Sequence, residues 1–135
     1  MSLSLAARRA RLVTVRDLIL ASDGGSLLLL DGPMASNPGE APAGSPLAII
    51  ALDVESFALH ETLAILLLSV VGNAATSGQP TWGRFVDGDG VGVYDVTAGP
   101  PGSGAQAIVS DDDNPTSAQI WTGGQLTVTG TFAEP

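Results

Sequence analysis

Residues 81–96, TWGRFVDGDGVGVYDV, place the sequence Asp-Gly-Asp-Gly between two runs of alternating residues. Asp-Gly pairs between such runs are strong β-hairpin signals, because glycine adopts positive φ angles at little cost. A calcium loop of the EF-hand type instead needs oxygen ligands at alternate positions and an acidic residue at position twelve. Counted from Asp87, the fifth and twelfth positions are Val91 and Ala98, which carry no side-chain oxygen. The segment therefore predicts a hairpin and not a calcium site.

The first strand of this hairpin alternates, so Trp82, Arg84 and Val86 share one face while Phe85 lies on the other. Phe85 and Trp121 are expected to be core residues, since aromatic side chains on strands are most often buried. Trp82 is either a core or an interface residue, and Arg84 is either solvated or part of an interface. The alternation alone does not decide between these roles.

Other alternating or apolar runs bounded by glycine, proline and aspartate predict further strands. They cover residues 27–30, 47–54, 105–110, 118–121 and 125–133. The apolar run at residues 63–71 is either a buried strand or a short helix, because periodicity does not separate the two. The proline-rich residues 33–46 predict a surface loop.

Residues 4–21 predict an N-terminal helix capped by Ser2 or Ser4. The strands that follow place the chain in the mainly β class, as an antiparallel β-sandwich or jelly roll with an N-terminal α-helix. The expected organisation is a helix or arm over residues 1–22 and a single β-sandwich domain over residues 23–135. The alternative is an α+β sheet covered by this helix and by a second helix near residues 56–70.

The chain has 135 residues and a net charge of −9, and all five of its basic residues are arginines. An acidic body repels phosphate backbones, so we expect no direct contact with nucleic acid. Arg8, Arg9, Arg11 and Arg16 cluster near the N-terminus, as either a solvated helix face or a binding patch. The apolar run is too short to cross a bilayer core about 30 Å thick as a helix, so no membrane partner is expected.

No residue pattern points to catalysis. The chain has no cysteine and a single histidine, His60, which excludes thiolate and multi-histidine metal sites. The spacing around His60 does not predict a catalytic triad. The three aspartates at residues 111–113 are expected to be solvated in a turn rather than to bind a cation. We therefore expect no catalytic, cofactor-binding or metal-binding residues.

Three segments resemble those of the capsid decoration, or cement, proteins of tailed bacteriophages: residues 27–32, 81–95 and 123–132. They are similar to a strand ending in Asp-Gly, a "TWxRxxDxxGxxVxD"-type hairpin and a "GGxLxVTGxF"-type final strand. The resemblance implies a non-enzymatic β-sandwich, without a cofactor, that lies on the outer capsid surface of the virion. Its implied partners are the major capsid protein, whose capsomers it bridges, and itself as a homodimer or trimer.

We expect the interfaces of such a protein to include Trp82, Arg84 and the arginines Arg8, Arg9 and Arg11. Two alternatives remain open at this stage. One is another virion component, such as a head fibre or tail module. The other is a carbohydrate-binding β-sandwich module in which Trp82 and Tyr94 stack on sugars.

Overall fold

The computed structural model describes residues 4–21, 24–42, 44–60, 63, 65–111 and 119–133. The expectation of a mainly β chain with an N-terminal helix is confirmed: in this part of the chain, eight strands form one curled sheet after one α-helix. The helix is α1 (Leu5–Ile19), and the strands are β1 (Ser26–Leu30), β2 (Ala48–Ala51), β3 (Phe57–Leu59), β4 (Ile65–Asn73), β5 (Trp82–Val86), β6 (Gly92–Gly99), β7 (Ala107–Asp111) and β8 (Gln125–Ala133).

The strands follow the order β2-β1-β5-β6-β7-β8-β4-β3. Neighbours are antiparallel except β6 and β7, which run parallel and overlap over only two residue pairs. The sheet is therefore mixed, which corrects the expectation of an antiparallel arrangement. The connection after β6 loops back before β7 begins, so that Ala107 lies beside Ala98 with the two strands in the same direction. Gln106 Oε1 accepts from Thr97 N at 3.2 Å and Gln106 N donates to Thr97 Oγ1 at 2.9 Å, which extends this parallel pairing by one residue on each strand.

The sheet curls so that its edge strand β2 lies beside β4, near the other end of the strand order. Strands β2 and β3 lie at opposite ends of the strand order, although a single 3-10 turn, Val54–Ser56, lies between them in the chain. An isolated antiparallel bridge between Ala48 of β2 and Ala74, just after β4, joins part of the seam. The structure therefore presents a single curled sheet, with one concave and one convex side.

The concave side holds the core. Its strands contribute side chains with no measurable exposure: Leu27, Leu29, Val96, Val109, Leu126 and Val128. Phe85 stands among three other rings, with centroid distances of 5.9 Å to Phe57, 6.5 Å to Tyr94 and 5.6 Å to Phe132. The prediction that Phe85 is a core residue is confirmed. We call these four residues the aromatic cluster.

Helix α1 packs against β3, β4 and β6 and contributes to the same core. It begins after Ser4, whose hydroxyl oxygen accepts a hydrogen bond from Ala7 N at 3.1 Å and so caps the first turn. Leu12 and Ile19 are its buried residues. At its C-terminal end, Gly88 N of the β5–β6 turn donates to Ala21 O at 3.0 Å. The helix and the hairpin are thus joined at one end of the curled sheet.

The apolar run that sequence periodicity left undecided is a strand. Strand β4 pairs with β8 over nine residues, from Ile65–Ala133 to Asn73–Gln125. Its side chains alternate, with Leu66, Leu68 and Val70 buried. Alternation of this kind turns every second side chain of an apolar run outward, so part of β4 is exposed despite its composition. No second α-helix is found in the described part of residues 56–70.

The predicted strand at residues 118–121 is wrong for its described part. Ile120 forms only an isolated bridge with Gly78, and Trp121 lies at the turn that leads into β8. Trp121 O accepts from Gly124 N at 2.7 Å, which closes that turn. The indole is 61% exposed, so the core prediction for Trp121 is also wrong. A residue in a tight turn has no sheet neighbour to cover it on either face.

We expect Phe85→Ala to lower the free energy of unfolding by about 3–5 kcal/mol, because it removes the central ring of a packed core. Trp121→Ala is the matched control, since it deletes a larger aromatic group from an exposed turn. Its effect should stay within about 0.5 kcal/mol. Urea denaturation of both variants measures the difference. Equal losses for the two variants would contradict the placement of the core.

Candidate interaction surface

The turn between β5 and β6 is a hairpin turn, as predicted. The Asp87 carboxylate accepts from Asp89 N at 2.9 Å and from Val91 N at 3.0 Å, through the same Oδ1 atom. Gly90 has a φ of 82°, which an L side chain rarely adopts. Asp87 Oδ1 therefore stabilises the turn by accepting two backbone hydrogen bonds. Among the described residues, no group of three or more His, Cys, Asp or Glu side chains is placed to hold a metal ion.

The second acidic cluster is described only at its start. Asp111 is the last residue of β7 and is buried, with 5% exposure, which differs from the expected solvated turn. Its backbone pairs with Leu126 of β8, and this register points it toward the concave side. Asp112 and Asp113 lie outside the described residues.

Trp82 and Arg84 lie on the convex side of β5, but they are covered by the proline-rich loop. Their exposures are 1% and 4%. Trp82 Nε1 donates to Asp31 O at 3.3 Å, and the Arg84 guanidinium lies 5.3 Å from the centre of the indole ring. Gly92 of β6 sits so close to the loop that a Cβ atom there would lie 2.0 Å from Pro38 O.

All three nitrogen atoms of Arg84 donate hydrogen bonds, and two of them, Nη1 and Nη2, hold this loop on the sheet. Nε and Nη2 donate to the two carboxylate oxygens of Asp95, directly across the hairpin, at 2.8 and 3.1 Å. Nη1 donates to Glu40 O, and Nη2 also donates to Asn37 O. Both members of the ion pair are almost fully buried, with side-chain exposures of 5% and 7%. We call the convex side of β1, β5 and β6, with Leu30, Trp82, Arg84 and Asp95, the covered face.

The five residues expected at interfaces therefore lie in two separate places. Trp82 and Arg84 make contacts within the chain, and neither presents a surface to a partner or a sugar. An interface role for Trp82 and Arg84 stays a prediction. Tyr94 belongs to the aromatic cluster, so its ring does not form an exposed stacking platform with Trp82.

The N-terminal arginines are on α1, and they do not act as one patch. Arg9 Nη1 donates to Leu63 O at 2.8 Å and to His60 O, which ties the helix to the segment before β4. Arg8 and Arg11 are exposed, and Arg16 forms an exposed ion pair with Asp17 at 3.3 Å. Arg9 thus ties the helix to the segment before β4, and an interface role for Arg8 and Arg11 stays a prediction.

The convex side of the other half of the sheet is exposed and bears no charged residue among its described positions. It is formed by β3, β4, β8 and β7. Its outward residues are Ala58, Leu67, Ser69, Val71, Ile108, Ser110, Thr127, Thr129 and Thr131. We call this surface the open face. On a chain of net charge −9, a charge-free surface spanning four strands is the feature that stands out.

The open face combines apolar and hydroxyl side chains. Leu67 is 36% exposed and Val71 is 55% exposed, and they pair across the strands with Thr131 and Thr127. Its rim is acidic at one seam, where Asp53 lines a shallow depression together with Ser69. An uncharged centre with a polar rim is the usual composition of a protein–protein contact.

Sequence reasoning did not single out the open face, although its signal is visible in the chain. The alternation Leu-Thr-Val-Thr-Gly-Thr-Phe at residues 126–132 places three threonines on one side of a strand. Alternation does not predict which side of the sheet a loop covers, because this depends on contacts between segments that are distant in the chain.

Comparison with protein-family models, curated proteins and solved structures finds no match to the chain. No helix among the described residues is long and apolar enough to cross a membrane. The open face is therefore interpreted from its own geometry.

We expect Arg84→Met to lower the free energy of unfolding by about 3–5 kcal/mol, because the buried Asp95 carboxylate would lose its countercharge. Arg16→Met is the matched control, since it breaks an exposed pair worth less than about 1 kcal/mol. Thermal unfolding gives the stability difference, and limited proteolysis reports release of the loop. The role assigned to the buried pair would be contradicted if both variants lost equal stability and the loop of Arg84→Met remained resistant to proteolysis.

Proposed function

We propose that this chain is a non-enzymatic bacteriophage structural protein that binds the outer surface of an assembled capsid and stabilises it by bridging capsomers. The resemblance to decoration proteins motivates the proposal. Two of its three matching segments include β1, β5 and β6, which are adjacent in the sheet, and the third includes β8. The sandwich or jelly roll that the resemblance implies belongs to the proposal as well.

The observation that carries the proposal is the open face. A partner that meets this chain must bury polar and apolar groups, and a buried unpaired charge costs several kcal/mol. The open face avoids that cost over the described residues of β3, β4, β7 and β8. It therefore suits contact with a protein surface better than the acidic remainder of the chain does.

The size of the open face favours many weak contacts over one strong contact. Four strands spaced about 4.8 Å apart, with a longest strand of nine residues, give a surface of about 400 Å². A standard interface buries about 800 Å² on each partner, so one copy should bind weakly by this face alone. Repetition over a lattice compensates for weak single contacts through avidity. Because such contacts exist only in the assembled shell, they stabilise it by mass action.

The remaining surface is consistent with this location. The acidic, lysine-free composition disfavours contact with packaged nucleic acid. Arg8 and Arg11 are both exposed on α1, and we expect them to face an acidic region of the major capsid protein or of a second copy. A homodimer or trimer would place several open faces on one bridging unit. That arrangement raises avidity further.

Quantitative mass spectrometry of purified particles tests the proposal directly. We expect a ratio to the major capsid protein of the order of one to one, as a lattice-binding protein requires. A handful of copies per particle would reject decoration and favour a head-fibre or tail component. Absence from particles, combined with glycan binding, would favour the carbohydrate-binding alternative.

We expect Leu67→Glu and Val71→Glu each to weaken binding to assembled capsids by at least about tenfold, because each places an unpaired charge within the contact. Val91→Glu is the matched control: Val91 is 59% exposed at the hairpin turn, away from the open face, and the change in net charge is identical. Co-sedimentation with capsids measures binding, and circular dichroism checks the fold. Equal binding by all three folded variants would show that another surface makes the contact.

A further inference from the structure

A cavity of about 280 Å³ lies between α1 and the aromatic cluster. Leu12, Val15 and Ile19 of the helix line one wall together with Arg11 and Thr14, and the rings of Phe57, Phe85, Tyr94 and Phe132 belong to the opposite wall. The cavity is partly open to solvent along the helix. None of these side chains belongs to the open face, so the cavity is a separate feature of the molecule.

The packing around the cavity explains why side chains do not fill it. The rings of the aromatic cluster are tilted by 50° to 84° relative to one another, with centroids 5.6 to 6.5 Å apart, so they do not stack into a flat layer. Helix α1 inserts only Leu12 and Ile19 fully into the core, and Val15 between them remains partly exposed. A closed sheet of about eight strands generally has room for its own side chains or for one small ligand.

The size and the walls of the cavity define the class of ligand. An engineered apolar cavity of about 150 Å³ remains dry and binds benzene, and ordinary ligand pockets begin near about 300 Å³. Arg11 and Thr14 are the polar residues of the helix wall, and the Thr14 hydroxyl donates to Ala10 O at 3.0 Å; the remaining lining residues are aliphatic or aromatic. Tilted rings offer both edges and faces, which favour contact with another aromatic group.

We propose that this cavity binds a small uncharged aromatic molecule, of the size of a single substituted ring, through apolar and ring–ring contacts. Binding orders Val15 and Leu12 against the aromatic cluster. It stabilises the folded chain by mass action, because the cavity exists only when α1 is docked on the sheet. The proposal is independent of capsid binding.

Isothermal titration with fluorobenzene tests the proposal on the full chain. We expect saturable binding at one site and a rise in melting temperature with ligand concentration. Val15→Phe places a ring in the cavity and should weaken binding at least about tenfold, because this ring occupies the space that the ligand would take and a filled site does not accept further volume. Leu18→Phe is the control, because Leu18 is on the same helix but is 53% exposed and is not among the residues that line the cavity. It should bind as the parent chain does.

A second measurement keeps the test decisive if Val15→Phe does not fold. Nuclear Overhauser effects should connect the ring protons of fluorobenzene with the methyl groups of Val15 and Leu12 in the parent chain. Absence of saturable binding, the lack of these contacts in a complex that does form, or unchanged affinity in a folded Val15→Phe variant would each overturn the proposal.

Discussion

The buried ion pair between Arg84 and Asp95 is the interaction on which the two-sided character of the sheet depends. Without it, β5 would present an arginine and an indole to solvent, and the proline-rich loop would have few fixed contacts. With it, four hydrogen bonds from one guanidinium connect both strands of the hairpin to two loop carbonyls. Removing two charges from water is costly, and only such complete pairing offsets that cost.

The pair also explains why the two halves of the convex side differ. The loop covers β1 and β5, where Leu30 and Trp82 are almost fully buried despite pointing away from the concave core. No described segment covers β4 and β8 in the same way, and their outward residues remain accessible. One half of the convex side is thus covered by the chain itself, and the other half remains exposed.

Local signals in the sequence predicted the elements well. The Asp-Gly-Asp-Gly turn, the apolar run of β1 and the alternation of β8 each depend on neighbouring residues, and all three were located correctly. The capping serine at residue 4 is likewise a local feature. Such patterns specify backbone geometry without reference to the remainder of the chain.

Features that depend on distant contacts were not predictable in the same way. Trp82 and Trp121 are both tryptophans beside strand-forming sequence, yet one is covered by a loop and the other projects from a turn. The burial of Arg84 required its carboxylate partner and two loop carbonyls to converge. The parallel pairing of β6 and β7 depends on side-chain hydrogen bonds across their connection, for which no pattern of alternation exists. The open face was not predictable for the same reason, because it is exposed only where no other described segment covers the sheet.

The order of the strands in the sheet has a consequence for how the chain folds. Strand β1 pairs with β5, and β4 pairs with β8, so both halves depend on partners that follow much later in the sequence. Contacts of this separation require large loops to close before they yield any stabilisation, and domains rich in them fold slowly. The antiparallel pairs β5–β6 and β3–β4 are local exceptions, since a short connection joins the two strands of each pair. During synthesis, these two pairs can form early, while the other edge of β4 stays unpaired until β8 leaves the ribosome.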